Sequence, residues 1–232
     1  MKIEVCVNRL EDVRKVQNFA IDRIELCVEL GCGGLTPSLA MVEQAMKISS
    51  VPIHVLVRPR SGDFVYSELV IEEMKNTMNH LRQLEVAGIV LGALNNTNTL
   101  PTPVLASFRH LYSDGLLYFH RAFDAVINPD QALMELIDLG YDGILTSGQQ
   151  ETAFAGINQL SQWKQKAKDQ LTILPGGGIN ASNCLAFKEL GFNWIHLSST
   201  RCVFPEKKSL FSASSYELDA VALEKVVSMV KA

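Results

Sequence analysis

The chain has 232 residues, 47 % hydrophobic and 20 % charged, and a single α/β domain accounts for all of it. Its net charge of −4 excludes the basic excess on which non-specific binding to nucleic acid or anionic membranes depends. Apolar runs are strand-sized rather than bilayer-sized, and Met1 leads straight into a strand pattern without a charged and apolar leader, so a cytoplasmic protein is expected.

Lys2 to Val7 alternates Ile3, Val5 and Val7 with Glu4 and Cys6, the period-two signature of a strand, and Glu11 to Ala20 follows as a helix. Arg23 to Val28 repeats the pattern, with Ile24, Leu26 and Val28 on one side and Arg23, Glu25 and Cys27 on the other. A glycine-rich loop, Gly31 to Pro37, leads to a helix capped by Ser38 that ends near Ser50. In the third strand Ile53, Val55 and Val57 alternate with His54, Leu56 and Arg58. Pro59 keeps Arg58 extended, so Arg58 and Arg60 are expected to converge at one strand end.

The next helix spans Ser67 to about Leu84. The fourth strand, Gly88 to Gly92, precedes a helix from Pro103 to Leu111, and the fifth, Leu116 to His120, empties into Arg121–Asp124 before a helix from Asn128 to Leu139. The sixth and seventh strands, Gly143 to Thr146 and Leu171 to Leu174, are followed by helices from about Ala153 to Ala167 and from Ser182 to Leu190. The eighth, Trp194 to Leu197, gives way to a long polar loop and a closing helix from Leu218 to Val230.

Eight strands alternating with eight helices predict a single-domain α/β fold, the (β/α)8 TIM barrel; an open doubly wound sheet is the alternative. The barrel is favoured because every strand has its helix and because the first three strands and the eighth share a polarity. Their apolar residues would face the helices, leaving Glu4, Cys6, Arg23, Glu25, Cys27, His54, Arg58 and His196 in a wet, charged lumen. Such groups pair with one another or face a solvated cavity. An ion-pair network that merely fills the barrel is the bland explanation, and a cavity at the C-terminal strand ends the functional one.

Three groups of residues carry chemistry. The loops after strands seven and eight, where barrels most often bind phosphate, hold Gly176, Gly177 and Gly178 in one and Ser198 and Ser199 in the other, with a helix N-terminus expected near Ser182. A tight turn would also explain the glycines. His120, Arg121 and Asp124 stand at the mouth, where a histidine beside carboxylates serves acid–base chemistry or a structural hydrogen bond. Cys6 and Cys27 end adjacent strands with the same facing, so their thiols can approach; they suit Cu(I), or are small residues in a packed lumen. The cysteines number five and form no CxxC pair, which argues against a disulfide framework.

At these residues the chain resembles the CutC family, named for copper homeostasis. The matching segments are Glu4-Val5-Cys6, Asp22-Arg23-Ile24-Glu25-Leu26-Cys27, Gly33-Gly34-Leu35-Thr36-Pro37-Ser38, Arg58-Pro59-Arg60 with Gly62-Asp63-Phe64, and Phe119-His120-Arg121-Ala122-Phe123-Asp124. Leu145-Thr146-Ser147-Gly148, Pro175-Gly176-Gly177-Gly178 with Asn183, and His196 with Ser198 continue the match in order. The resemblance implies a cytoplasmic (β/α)8 barrel linked to copper handling, with Cys6 and Cys27 at the family's proposed Cu(I) ligand positions. Phe19-Ala20-Ile21 replaces a Gly-Gly-Ala, and the stretch from Thr200 to Glu217 matches no motif.

Two functions follow as expectations. One is a copper homeostasis protein holding Cu(I), its one expected cofactor, on Cys6 and Cys27. The other is an enzyme acting on a small phosphorylated or carboxylated metabolite. Glu25, Arg58, His120 and Asp124 are its catalytic candidates. Arg60, Asp63, Arg121, Thr146, Ser147, Gly176, Gly177, Gly178, His196 and Ser198 are candidates for holding the substrate or its anion. No nucleotide cofactor, nucleic acid or membrane partner is indicated, and self-association into a homo-oligomer stays open.

Overall fold

Alternation repeated on strand after strand rolls the chain into a cylinder. The computed structural model describes residues 1–204 and 215–232. One sheet of eight parallel strands is formed by β1 (Lys2–Val7), β2 (Arg23–Leu26), β3 (Ile53–Val57), β4 (Gly88–Leu91), β5 (Leu116–Phe119), β6 (Gly143–Thr146), β7 (Thr172–Pro175) and β8 (Trp194–Leu197). Neighbours in sequence are neighbours in the sheet, and β1 pairs with both β2 and β8. A bridge between Gly176 and His196 returns β7 to β8 and closes the barrel.

Outside it lie α1 (Leu10–Val16), α2 (Leu39–Ile48), α3 (Glu68–Gln83), α4 (Thr102–Leu111), α5 (Pro129–Asp138), α6 (Ile157–Ala167), α7 (Cys184–Glu189) and α8 (Ala220–Lys231). Ser38 caps α2 as expected, its hydroxyl accepting from Met41 N–H. Among the described residues no helix is long and apolar enough to cross a membrane.

Several boundaries differ from those expected, among them α6, which starts at Ile157 rather than about Ala153, and β2, which ends at Leu26 rather than Val28; three differences have a local reason. α1 stops at Val16 rather than Ala20, where the Gln17 amide turns onto the Val13 and Ile48 carbonyls and ties the helix end to α2. α7 starts at Cys184 rather than Ser182, because Asn180 and Asn183 side chains accept from backbone N–H groups and hold 180–183 as a turn. The expected polar loop after β8 contains an antiparallel hairpin, β9 (Thr200–Val203) and β10 (Ser215–Leu218), anchored by Arg9 to Glu217 at 2.8 Å and by Leu218 N–H on Asp12. The rest of that loop, 205–214, lies outside the described residues.

Two apolar regions result. Ile3, Val5, Ile24, Leu26, Val55 and Val57 face the helices in the main core, as the alternation requires. Inside the barrel, Leu56, Val90, Tyr118, Leu145 and Leu174 pack with Cys6 and Cys27. The lumen is therefore ionic around Glu4, Arg23, Glu25 and His196, with His54 of β3 buried beside Tyr118, and apolar from Leu56 across β4 to β7, so the inward charge expected on the first three strands and the eighth fills one side of the barrel. Glycine makes room for the large inward rings: a β-carbon on Gly88 would sit 2.5 Å from His54 Nε2.

Candidate functional site

The ionic residues form one connected chain because the register sets them side by side. Glu4 is level with Arg23 on one side and His196 on the other, and Cys6 is level with Glu25. Arg23 Nε donates to Glu4 Oε2 at 2.5 Å, Glu4 Oε1 lies 2.7 Å from His196 Nδ1, and His196 Nε2 lies 3.9 Å from Glu25 Oε2. The Arg23 guanidinium stands between the rings of Tyr118 and Trp194, 4.5 and 4.2 Å from their centroids. A desolvated cation gains most from aromatic faces in such a place.

Burial raises the Glu4 carboxyl, but Arg23 and His196 outweigh it and bring it down to about 2. Burial likewise opposes charge on His196, yet Glu25 and Glu4 outweigh it and raise that ring above the ordinary histidine value. Glu25 is raised by burial, with His196 offsetting only part. The chain thus holds fixed charge at its deep end and a carboxyl nearer neutrality at its upper end.

Cys6 Sγ lies 3.3 Å from Cys27 Sγ, and both thiols are buried. The contact with Cys27, then burial and the neighbouring Glu25, push the Cys6 thiol well above its ordinary value. One ligand atom each from Cys6, Glu25 and His196 lies within 4.8 Å of the others, a grouping able to hold a metal ion. Cys32 and Cys202 are exposed, and Cys184 is buried as the first residue of α7.

Above this chain a cavity of about 280 Å³ opens at the C-terminal strand ends. Its polar lining is Cys6, Glu25, Arg58, His120, Arg121, Gly177, Gly178, His196 and Ser198, and its apolar wall includes Leu30, Leu56, Phe64 and Leu145. His120 caps the short 3₁₀ turn Arg121–Ala125, its Nδ1 accepting from Ala122 N–H at 3.1 Å, so the neutral ring carries its proton on Nε2. Burial and the Arg58 charge push this imidazole down to about 3.

Arg58 reaches the Cys32 and Gly34 carbonyls with Nη1 and the Gly62 carbonyl with Nη2, lacing the loops after β2 and β3 together. Among the described residues, Glu25 Oε1, His120 Nε2 and Arg58 Nε are buried without a hydrogen-bond partner.

The rim is built around Arg121. Its Nε donates to Asp124 Oδ2 and its Nη2 to Ser147 Oγ, each at 2.8 Å, while Nη1 lies 3.3 Å from where a Gly177 β-carbon would be. Gly177, at φ 108°, both adopts a backbone conformation closed to other residues and lets the loop lie flat on that guanidinium. Asp124 also accepts from Thr146 Oγ1 at 2.5 Å, Ser147 N–H at 3.0 Å and Gln149 N–H at 3.2 Å.

Of the residues singled out from the sequence, the structure brings Cys6, Glu25, Arg58, His120, Arg121, Gly177, Gly178, His196 and Ser198 to the cavity. Cys27 is fully buried against Cys6. Asp124, Thr146 and Ser147 stand behind Arg121, and Gly176 packs on Leu145 and His196 at the barrel seam.

Arg60 and Asp63 are not part of the cavity lining. Arg60 Nη2 binds Asp63 Oδ1 and Val65 O, each at 2.6 Å, bracing the loop after β3. Arg58 and Arg60 both reach Gly62, Arg58 through its Nη2 on the Gly62 carbonyl and Arg60 with Nη1 3.6 Å from where a Gly62 β-carbon would be, but of the two only Arg58 lines the cavity. The helix N-terminus expected near Ser182 lies two residues later, at Cys184, with the Asn183 amide donating to the Gly178 carbonyl. Phe64 enters the sequence analysis only as part of the family match; its ring lies 4.9 Å from that of His120 and 5.1 Å from the Arg58 guanidinium, and an aromatic in a polar loop was the available signal.

Comparison with known proteins agrees with this architecture. A family model described as the CutC family matches residues 1–201. A family protein CutC of Glaesserella parasuis is 45 % identical over 186 residues, covering 79 % of this chain and 75 % of the relative. One from Bacteroides fragilis is 36 % identical over 222 residues, covering 95 % and 86 %. The crystal structure of CutC from Streptococcus agalactiae superposes with a TM-score of 0.81 at 28 % identity, covering 84 % of this chain and 97 % of that one. With the match running from β1 through β8 into the hairpin, the chain belongs to the CutC family.

Proposed function

We propose that the protein is an enzyme that binds a small phosphorylated or carboxylated metabolite in the cavity at the C-terminal barrel face and moves protons on it. The observation that carries this reading is that three residues lining one cavity, Glu25, His120 and Arg58, each keep a buried polar atom, Oε1, Nε2 and Nε, without a partner among the described residues. Each such atom costs about 1–3 kcal/mol when left unpaired, and a ligand that pairs them recovers that cost.

In this reading Arg121, Gly177, Gly178 and Ser198 receive the anion, and Asp124, Thr146 and Ser147 hold Arg121 in place. Gly176 and His196 form the floor, and Arg58, Arg60 and Asp63 shape the β3 loop over the site. Inorganic phosphate, sugar phosphates and dicarboxylates test it by thermal shift. A ligand at 100 times its Kd stabilises by about 2.7 kcal/mol, a rise of about 5–10 °C for a chain of this size. Arg121→Ala is expected to abolish most of that rise, and an undiminished rise would remove the anion subsite.

A second reading, favoured by the 3.3 Å contact of two buried thiols, makes Cu(I) the cargo, held by Cys6 and Cys27. The ligand type fits a soft ion, with Glu25 and His196 at hand. Sulfurs in mutual contact must part to admit an ion, and Cys6 must release its proton. Both readings place the protein in the reducing cytoplasm, where thiols persist. Anaerobic Cu(I) titration of the wild type and a Cys6→Ser, Cys27→Ser variant is expected to show tight binding by the first alone; equal binding by both would end the copper reading.

A further inference from the structure

We propose that the reaction begins with removal of a proton from a carbon beside a carbonyl group: Glu25 Oε1 takes the proton while His120 Nε2–H hydrogen-bonds the carbonyl oxygen. This rests on the enzyme reading of the cavity and deepens it, assigning the reaction class and the roles of the two groups.

The His120 ring is not free to choose its tautomer. Its Nδ1 accepts from Ala122 N–H, so a proton there would set two donors against each other, and the neutral ring presents N–H from Nε2. A neutral imidazole N–H is a weak acid but a well-matched donor to an oxygen on which charge is growing. Glu25 offers the complementary group, an acceptor oxygen without a partner, while its Oε2 faces His196. His196 is itself held by Glu4, so the carboxylate has a fixed neighbour on its inner side.

Asp124 is poorly placed for the same work. It lies outside the cavity lining, and Thr146, Ser147, Gln149 and Arg121 all donate to its oxygens. Asp124 is a positioning residue for Arg121. The cavity therefore offers a base and a carbonyl-oxygen donor beside an apolar wall that includes Leu56, Phe64 and Leu145, and a cation at the rim. That combination selects a short carbonyl compound carrying phosphate or carboxylate at its other end.

In the step itself, the C–H bond breaks as an O–H bond forms on Glu25. The released pair becomes a C=C bond, and the carbonyl π pair moves to oxygen, giving an enolate held by His120. Return of the proton to the same carbon restores the substrate; where that carbon also bears a hydroxyl group, transfer of the hydroxyl proton to the other oxygen and delivery of the carbon proton to the former carbonyl carbon isomerise it, so no oxidant, reductant or co-reactant is consumed.

The test is deuterium incorporation in D2O, followed by ¹H NMR, with dihydroxyacetone phosphate, ribulose 5-phosphate and 2-oxoglutarate as probes, alongside thermal shifts with the same compounds. The wild type is expected to exchange the C–H next to the carbonyl of at least one probe that stabilises it. Glu25→Gln is expected to lower that rate by about 10³-fold while keeping the thermal shift, and Asp124→Asn to raise KM with kcat largely kept. Stabilisation without exchange, or exchange indifferent to Glu25→Gln, overturns the inference and leaves the enzyme reading standing. Failure of every probe to stabilise the protein overturns that reading and this inference with it. ¹⁵N shifts of labelled histidine provide a check without substrate: His120 is expected as the neutral Nε2–H tautomer from pH 5 to 8 (roughly the range over which histidine charge ordinarily changes), and an imidazolium there overturns the proposal.

Discussion

Acidification from pH 6.5 to 3 is expected to remove a large share of the folding stability, chiefly through two buried histidines. His54 is fully buried on the inner face of β3, its ring 5.2 Å from that of Tyr118, and neither of its nitrogens has a partner among the described residues. Burial, with the Arg23 charge, pushes it down from 6.5 to about 3, and burial with the Arg58 charge does the same to His120. In this window the unfolded chain takes up protons on these rings and the folded chain does not, so stability falls as pH falls. Above the unfolded value both states are neutral and the contribution is flat.

The full shift corresponds to at most about 5 kcal/mol for each ring. Glu4 adds to the loss, since a carboxyl lowered from 4.5 to about 2 contributes stability above the unfolded value that disappears as pH falls through the folded one. His196 has the opposite sign: its raised value stabilises the fold at low pH, and that contribution is lost as pH rises through its folded value. Urea denaturation between pH 7.5 and 4 (roughly spanning the unperturbed histidine value) measures the slope. His54→Leu removes one titrating ring and replaces an unpaired polar group by an apolar one, so it is expected to leave stability near neutrality little changed and to flatten the acid limb. An acid limb as steep as the wild type's would show that His54 does not carry the effect.

Arg23→Ala is expected to cost about 3–5 kcal/mol, because it strands the Glu4 carboxylate in the barrel floor and empties the space between two aromatic rings. Arg23 and Glu4 are 4 % and 1 % exposed at their side chains, so water does not reach in to compensate. Arg23→Lys is expected to recover little, since an ammonium on a flexible stem reproduces neither the planar stacking nor the Nε geometry. Adding Glu4→Gln to Arg23→Ala removes the orphaned charge while keeping an acceptor for His196, and is expected to regain part of the loss. Chemical denaturation of the wild type, Arg23→Ala, Glu4→Gln and the double variant forms the cycle, and a cost below about 1 kcal/mol for Arg23→Ala, the range of exposed ion pairs, would mean that the barrel floor is hydrated.

The same structure explains why some site residues are legible in the sequence and others are not. Glu25, Arg58, His120 and His196 lie within or at the ends of strands, where alternation tells inside from outside. Arg60, Asp63 and Asp124 lie beyond strand ends, and no period governs which way a loop turns there. Asp124 and Glu25 look equally suited to moving protons when read as letters. The difference is that one carboxylate is engaged by donors from the β6 loop and an arginine, while the other keeps an unpartnered oxygen.

Alternating apolar residues, a helix after each strand and glycines in the seventh loop are local properties of the chain. They were sufficient to establish the eight-stranded barrel, the strands that turn charge inward, and the adjacency of Cys6 and Cys27. Which residues share a cavity, which carboxylate is already engaged, and which half of the lumen is dry depend on contacts between segments far apart in the chain. Arg121 on Gly177 and Glu4 on His196 are such contacts, and they exist only once the cylinder has closed.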